Sequence, residues 1–266
     1  MTQTVSTTNL RIETVDGVRW IAIARPDAGN AIDTDTRIAL SEALTAADTD
    51  PAVRCIVISG DEKAFCTGAD LRGPDIATPE NALDFRRALV PFQQLFQQLW
   101  EIETPVISAV QGTVAGIGWM LALLADLVVA SDTARWIHVF GRRGMAPHAG
   151  DPFFLPRILP FHVLNEIALL GDAVSSTQLE RWGAVNRLVP AAEVEPTAWE
   201  LAKRLAVGPT RSFGQAKRLY RRSLVSDMAT AFAEEQAATA MLSTTNDRVE
   251  GMASFVEGRR PSFSGT

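Results

Sequence analysis

Two short stretches hold the residues best placed to do chemistry. Residues 64–71 read AFCTGADL and residues 112–121 read GTVAGIGWML. Each is a turn of small residues that runs into a helix-like segment. Cys66 is the one candidate nucleophile in either. The stretch from Ile117 to Ala125 is apolar nearly all round, so a helix there must be buried on every side. Its start follows Ala115-Gly116. A buried helix N-terminus has unpaired N–H groups and the positive end of a dipole. An oxygen that gains negative charge would satisfy both. In the first stretch Gly68 permits a sharp turn, the N–H of Ala69 points outward, and Asp70 can cap the next segment. Two outward N–H groups from two elbows would make an oxyanion hole. Taken singly, each elbow is also an ordinary strand–helix turn.

Elements that could position these elbows emerge from the apolar pattern. GVRWIAIARP (17–26) reads as a strand ended by Pro, and RCIVISGD (54–61) as a buried strand with a continuous β-branched run. Residues 105–112, 126–132 and 134–138 read as three more. Helices are expected over 33–49, capped by Asp33 or Thr34, and over 79–101, with Pro79 in the first turn. Alternation of this kind predicts an α/β fold with mainly parallel pairing. After about residue 190 only helical patterns remain, with Gly208-Pro209 breaking the first from the second. The expected division is a core over 1–195 and a helical region over 196–266.

Composition excludes several classes. The chain has 266 residues, 47% apolar and 21% charged, with a formal net charge of −6. That disfavours a nucleic-acid or anionic-membrane surface. The basic run KRLYRR (217–222) reads as one solvated helix face. Two cysteines, Cys55 and Cys66, make no disulfide framework and fit a reducing compartment. The N-terminal stretch lacks an apolar core, and no long apolar run is uninterrupted, so neither a signal peptide nor a membrane span is expected. Three histidines and two cysteines show no metal-ligand spacing.

Several motifs, in order along nearly the whole chain, resemble the crotonase, or enoyl-CoA hydratase/isomerase, superfamily. They are ARPDAGNAID (24–33), AFCTGADLR (64–72), ETPVISAVQGTVAGIGWMLALLADLVVASDTARW (103–136), GMAP…LPRI (144–158), GAVNRLVP (183–190) and FVEGRRPSF (255–263). The resemblance implies a spiral of ββα repeats with a C-terminal helical region that packs in a homotrimer or hexamer, in the cytoplasm. It implies an acyl-CoA thioester as substrate, with coenzyme A as part of that substrate and no separate cofactor, metal, nucleic-acid or membrane partner. The thioester oxygen would be held by the N–H groups of Ala69 and Ile117 while an enolate-like anion forms. Ala64, Gly68, Asp70, Leu71 and Gly116 belong to the same two binding motifs. Arg72 matches a position near the CoA phosphates, and is equally readable as a surface arginine.

Hydration of an enoyl-CoA wants two carboxylates. The family's two glutamate positions fall here at Met120 and at about Phe140, and Ala134 to Pro147 contains no Asp or Glu. His148, just after the GMAP landmark, is the candidate general base or substrate contact, since histidine serves near neutral pH without a large shift. Asp151 reads as an N-cap followed by Pro at N1. His138 reads as a core or edge histidine and His162 as structural. Arg142 and Arg143 read as solvated surface; if one points inward it would favour a substrate with a carboxylate. Phe85, Leu89, Phe92 and Phe96 share one helical face, suited to core packing and to lining an acyl pocket. The expected function is an acyl-CoA-processing enzyme of hydratase/isomerase type. The alternatives are a thioester hydrolase or decarboxylase, or a silent acyl-CoA-binding relative.

Overall fold

The computed structural model describes residues 3–6, 9–72 and 81–266. Strands β1 (Gln3–Ser6), β2 (Leu10–Val15) and β3 (Val18–Ile23) form an antiparallel meander. Helix α1 (Thr34–Thr49) comes next, capped by Asp33, whose carboxylate accepts from the Thr36 N–H. Three ββα units succeed it: β4 (Cys55–Ser59), β5 (Ala64–Cys66) and α2 (Ala82–Glu101); β6 (Val106–Val110), β7 (Thr113–Ala115) and α3 (Gly118–Leu123); β8 (Leu127–Ser131), β9 (Arg135–Ile137) and α4 (Asp151–Ile158). The first strand of each unit enters a seven-stranded sheet and the second a four-stranded sheet. The remaining elements are α5 (Phe161–Leu170), β10 (Ala173–Ser175), α6 (Ser176–Arg181), β11 (Arg187–Val189), α7 (Val194–Ala206), α8 (Thr210–Ser223), α9 (Met228–Leu242) and α10 (Asn246–Glu257). The large sheet runs β1-β2-β3-β4-β6-β8-β11, parallel from β3 onward; the small one runs β10-β9-β7-β5. This is the α/β spiral of ββα repeats expected above.

Strand alternation divides the interior into two cores. Ile56, Ile58, Val106 and Val110 face the larger core, which also takes α3 and the buried faces of α1 and α2. Cys55, Val57, Ile107 and Ala109 face the other side, where α7 packs with Val194, Ala198, Leu201, Ala202 and Ala206. Strands buried on both faces need continuous apolar runs, which is why CIVIS and VISAV read so clearly. Each such Val or Ile contributes about 1.5–3 kcal/mol by leaving water. The expected division after residue 195 falls within α7, which covers the second face of the large sheet.

Several boundaries differ from expectation. The strand read over 17–26 ends at Ile23, because Pro26 opens a 3-10 turn over Pro26–Ala28. Helix α2 is capped by Asn81, which accepts from the N–H groups of Leu83 and Asp84; the expected start at Pro79 lies outside the described residues. The basic run 217–222 is not one solvated face. Lys217 Nζ and Arg221 Nη2 each lie 2.7 Å from Asp126 and are largely covered, which ties α8 to the turn before β8. Their ammonium and guanidinium are held below their usual ranges chiefly by burial, with Asp126 opposing. No helix among the described residues is long and apolar enough to cross a membrane.

Candidate active site

The two elbows are built against each other. β5 and β7 are parallel neighbours, and each turns at its C-terminal end on a glycine of positive φ, Gly68 at +105° and Gly116 at +52°. A methyl group on Gly68 would sit 3.0 Å from the Ala115 carbonyl oxygen and 3.7 Å from Gly116 Cα. Gly118, the first residue of α3, is pressed onto the Cys66 carbonyl group: a methyl group there would lie 3.1 Å from its carbonyl carbon and nearer still to its oxygen. The second glycine of the GIG triplet is therefore required by close approach, a role not read from the sequence.

Hydrogen bonding sets the direction of the donors. On the outer side of the first elbow the Ile32 N–H donates to the Gly68 carbonyl at 2.8 Å, and the Asp70 N–H to the Ile32 carbonyl at 2.9 Å. Peptide groups alternate sides along an extended chain, so the Ala69 N–H faces the opposite way. At the second elbow Gly116 and Ile117 supply carbonyls to the first turn of α3, and the Ile117 N–H precedes any intrahelical acceptor. Neither the Ala69 nor the Ile117 N–H has an acceptor among the described residues. Both residues line one cleft.

That cleft has about 540 Å³ of free space, counting its open mouth. Its elbow side is formed by Gly68, Ala69, Leu71, Gly116 and Ile117. Phe85, Ala88, Leu89 and Phe92 of α2 make one wall, and Val139, Phe140, Arg143, Met145 and His148 the other. The predicted helical face thus does both things, with Phe92 and Phe96 buried in the core and Phe85, Leu89 and Phe92 lining the cleft.

His148 lies on the tight turn before α4, where Ala149 (φ 60°) and Gly150 (φ 88°) are both left-handed. Its Nδ1–H donates to the Ala146 carbonyl at 3.0 Å, so in the neutral ring Nε2 holds the lone pair. The ring meets Phe140 edge-on, centroids 4.6 Å apart. Asp151 is not the cap of α4. Gly150 occupies that position, and the Asp151 carboxylate instead accepts from Nε2 of His138 at 2.8 Å, both groups buried. The helix start is thereby pinned to the end of β9. His162 is exposed on α5 and does not line the cleft.

Not every motif residue reaches the cleft. Ala64 is buried in β5 and Met120 in the core around α3. Asp70 is buried behind the first elbow, held by Arg25 Nη2 at 3.1 Å and Arg72 Nε at 3.0 Å. The Arg72 hydrogen bonds are the largest influence on its carboxyl, which is lowered to about 2. Arg72 itself points outward. Asn30, buried and at φ 55°, accepts from the Arg25 N–H and donates to the Ala64 carbonyl. The early RPDAGNAID segment is therefore an outer brace for the first elbow. Cys66 is fully buried, and desolvation pushes its thiol up to about 12, so it is no nucleophile.

The fold and these two elbows define an α/β protein with two unpartnered backbone donors at one largely apolar cleft. The family model described as Enoyl-CoA hydratase/isomerase matches residues 13–266. The 1,2-epoxyphenylacetyl-CoA isomerase of Escherichia coli K12 is 30% identical over 250 residues, covering 94% of this chain and 95% of that one. The carnitinyl-CoA dehydratase of Escherichia coli SMS-3-5 is 32% identical over 252 residues, 92% and 94% of the two chains. The crystal structure of an enoyl-CoA hydratase from Bacillus anthracis superposes with a TM-score of 0.90 at 26% identity, covering 97% of this chain and all of that one. The chain belongs to the enoyl-CoA hydratase/isomerase family and is an acyl-CoA-processing enzyme of that type.

Proposed function

We propose that this enzyme shifts a proton on an unsaturated acyl-CoA, with the thioester oxygen between the N–H groups of Ala69 and Ile117 and with His148 as the base. The observation that carries this reading is the composition of the cleft. Two unused backbone donors face it, and His148 is the one proton-accepting side chain among its described lining residues. Nε2 takes the proton from the carbon next to the thioester. The electron pair moves onto the carbonyl oxygen, where the two donors strengthen as charge develops. In a 3-enoyl thioester the resulting dienolate takes the same proton at its far carbon, giving the conjugated isomer with no atoms gained or lost. Hydration would need a second group to activate water, and Met120 and Phe140 stand at the positions where the resemblance puts carboxylates. Coenzyme A enters as part of the substrate, and the chain's own groups carry the proton.

The test uses purified wild type and His148→Ala with a 3-enoyl-CoA and with crotonyl-CoA, following the conjugated thioester absorbance. The expected result is gain of absorbance from the 3-enoyl thioester, lowered about a hundredfold or more in His148→Ala, and little loss from crotonyl-CoA. Fast hydration of crotonyl-CoA independent of His148 would overturn the reading. Binding without turnover of either thioester would overturn the reading and point to a silent binder or to hydrolysis or decarboxylation of a different thioester.

The same reading has the enzyme act in the cytoplasm as a homotrimer or hexamer. Support comes from the region after α7, where Met228, Phe232, Phe255 and Val256 are exposed, Phe255 by 82%. Exposed apolar groups in such number suit a subunit interface. A monomeric mass by light scattering at micromolar concentration would count against it.

A further inference from the structure

Arg142 and Arg143 are adjacent on one 3-10 turn, Gly141–Arg143, yet meet different surroundings. Arg142 Nη2 reaches Asp172 at 3.2 Å on the outer surface. Arg143 is also exposed, but at the rim of the cleft, which it lines, and it has no ion-pair or side-chain hydrogen-bond partner among the described residues. The turn that presents it is fixed on both sides. Phe140 is buried beneath it, and its carbonyl accepts from the N–H groups of Arg143 and Met145, each at 3.0 Å. The rest of the lining is apolar apart from His148, and none of the described lining residues is acidic. What distinguishes Arg143 from other exposed arginines is its place at the rim of an apolar cleft that holds no acidic group among its described lining residues. Such a lining lowers the local dielectric and strengthens any ion pair formed against it.

We infer that the acyl group accepted by this cleft ends in a carboxylate, and that Arg143 recognises it. The substrate class is then the thioesters of dicarboxylic acids. The inference rests on the acyl-CoA reading above. The thioester oxygen lies at the elbows, the acyl carbons run between Phe85, Leu89 and Phe92 on one side and Val139 and Phe140 on the other, and the distal carboxylate meets the guanidinium. A guanidinium suits this role because it presents paired donors to a carboxylate and is always charged. Arg143 shares its wall with His148 rather than with Leu71 and Arg72 of the first elbow, which favours the acyl group over the CoA phosphates as its partner.

The test compares glutaryl-CoA with its ω-methyl ester by titration calorimetry. The two ligands share coenzyme A and nearly the same length, and differ in one charge. Wild type is expected to bind glutaryl-CoA about fivefold to tenfold more tightly than the ester. Arg143→Met should erase that preference and leave affinity for the ester within about twofold, while Arg143→Lys should restore part of it. Equal affinities in wild type would overturn the inference. So would an equal loss for both ligands in Arg143→Met, which would assign Arg143 to the CoA phosphates. Binding of the ester alone would refute the carboxylate subsite and leave the acyl-CoA reading intact. Binding of neither would refute both.

Discussion

Gly118→Ala is the sharpest probe of the oxyanion hole, because it changes no side chain in the cleft. The added methyl would lie 3.1 Å from the Cys66 carbonyl carbon and 3.2 Å from Cys66 Cβ, with the carbonyl oxygen closer than either. An ordinary carbon–oxygen contact needs about 3.3 Å, so relief requires a shift of about 1 Å. Both partners are backbone, one in a strand of the small sheet and the other at the start of a buried helix, so no rotamer change can absorb it. The shift must move α3 and with it the Ile117 N–H that precedes it. A displacement of about 1 Å can cost on the order of a hundredfold in rate, and outright loss of one donor costs about a hundredfold to a thousandfold. Overpacking should also remove about 1–3 kcal/mol of stability. The assay is kcat and KM for a turned-over thioester beside a urea unfolding curve. The expected pattern is a fall of about a hundredfold in kcat, with KM changed much less, in a protein still folded at the assay temperature. A folded Gly118→Ala with kcat within twofold of wild type would refute the assignment of Ile117 as a donor.

Two further outcomes concern buried charge. His138→Leu leaves the Asp151 carboxylate buried without its partner and should cost about 3 kcal/mol of unfolding free energy, whereas His138→Leu with Asp151→Ala should recover more than half of it; equal losses in the single and double variants would refute the pairing. Asp70 is held at about 2 in the folded protein against an ordinary 3.8, so its contribution is fully present above about pH 4 and is lost as pH falls toward 2. The stability gap between wild type and Asp70→Asn should therefore narrow by about 1 kcal/mol between pH 5 and pH 2, after allowance for solvent screening around exposed Arg72. A constant gap in urea titrations would show that the carboxylate is not held by its arginines.

Features dictated by local chemistry are legible in the sequence. Strands buried on both faces announce themselves as apolar runs, and Asp33 heads α1 because a carboxylate there can accept from Thr36. The second elbow is readable because a glycine between a strand and an apolar helix points to a turn of positive φ, as Gly116 between β7 and α3 shows. Contacts across the fold are not readable. Asp151 has the local look of a helix cap, and nothing in its neighbourhood marks His138, thirteen residues earlier, as its partner. Lys217 and Arg221 look solvated until Asp126 is folded against them. Strand β2 escapes the sequence reading although Leu10, Ile12 and Thr14 alternate as an edge-region strand should; its signal is spread over one face and is weaker than a continuous run. Gly118 hides within a triplet whose other glycine has an evident conformational reason.

The two donors lie just beyond β5 and β7, which pair directly in the small sheet. Neighbouring strands are held about 4.8 Å apart by their ladder, whatever their side chains. The pair thus behaves as a fixed gauge, with an opening set by the lattice of a β-sheet rather than by the ligand. On the proposed reading no closing motion is needed at that end of the cleft, and selection among acyl groups falls to α2 and to the 141–148 turn. Those walls can be recut for a new acyl chain while the gauge keeps its calibration.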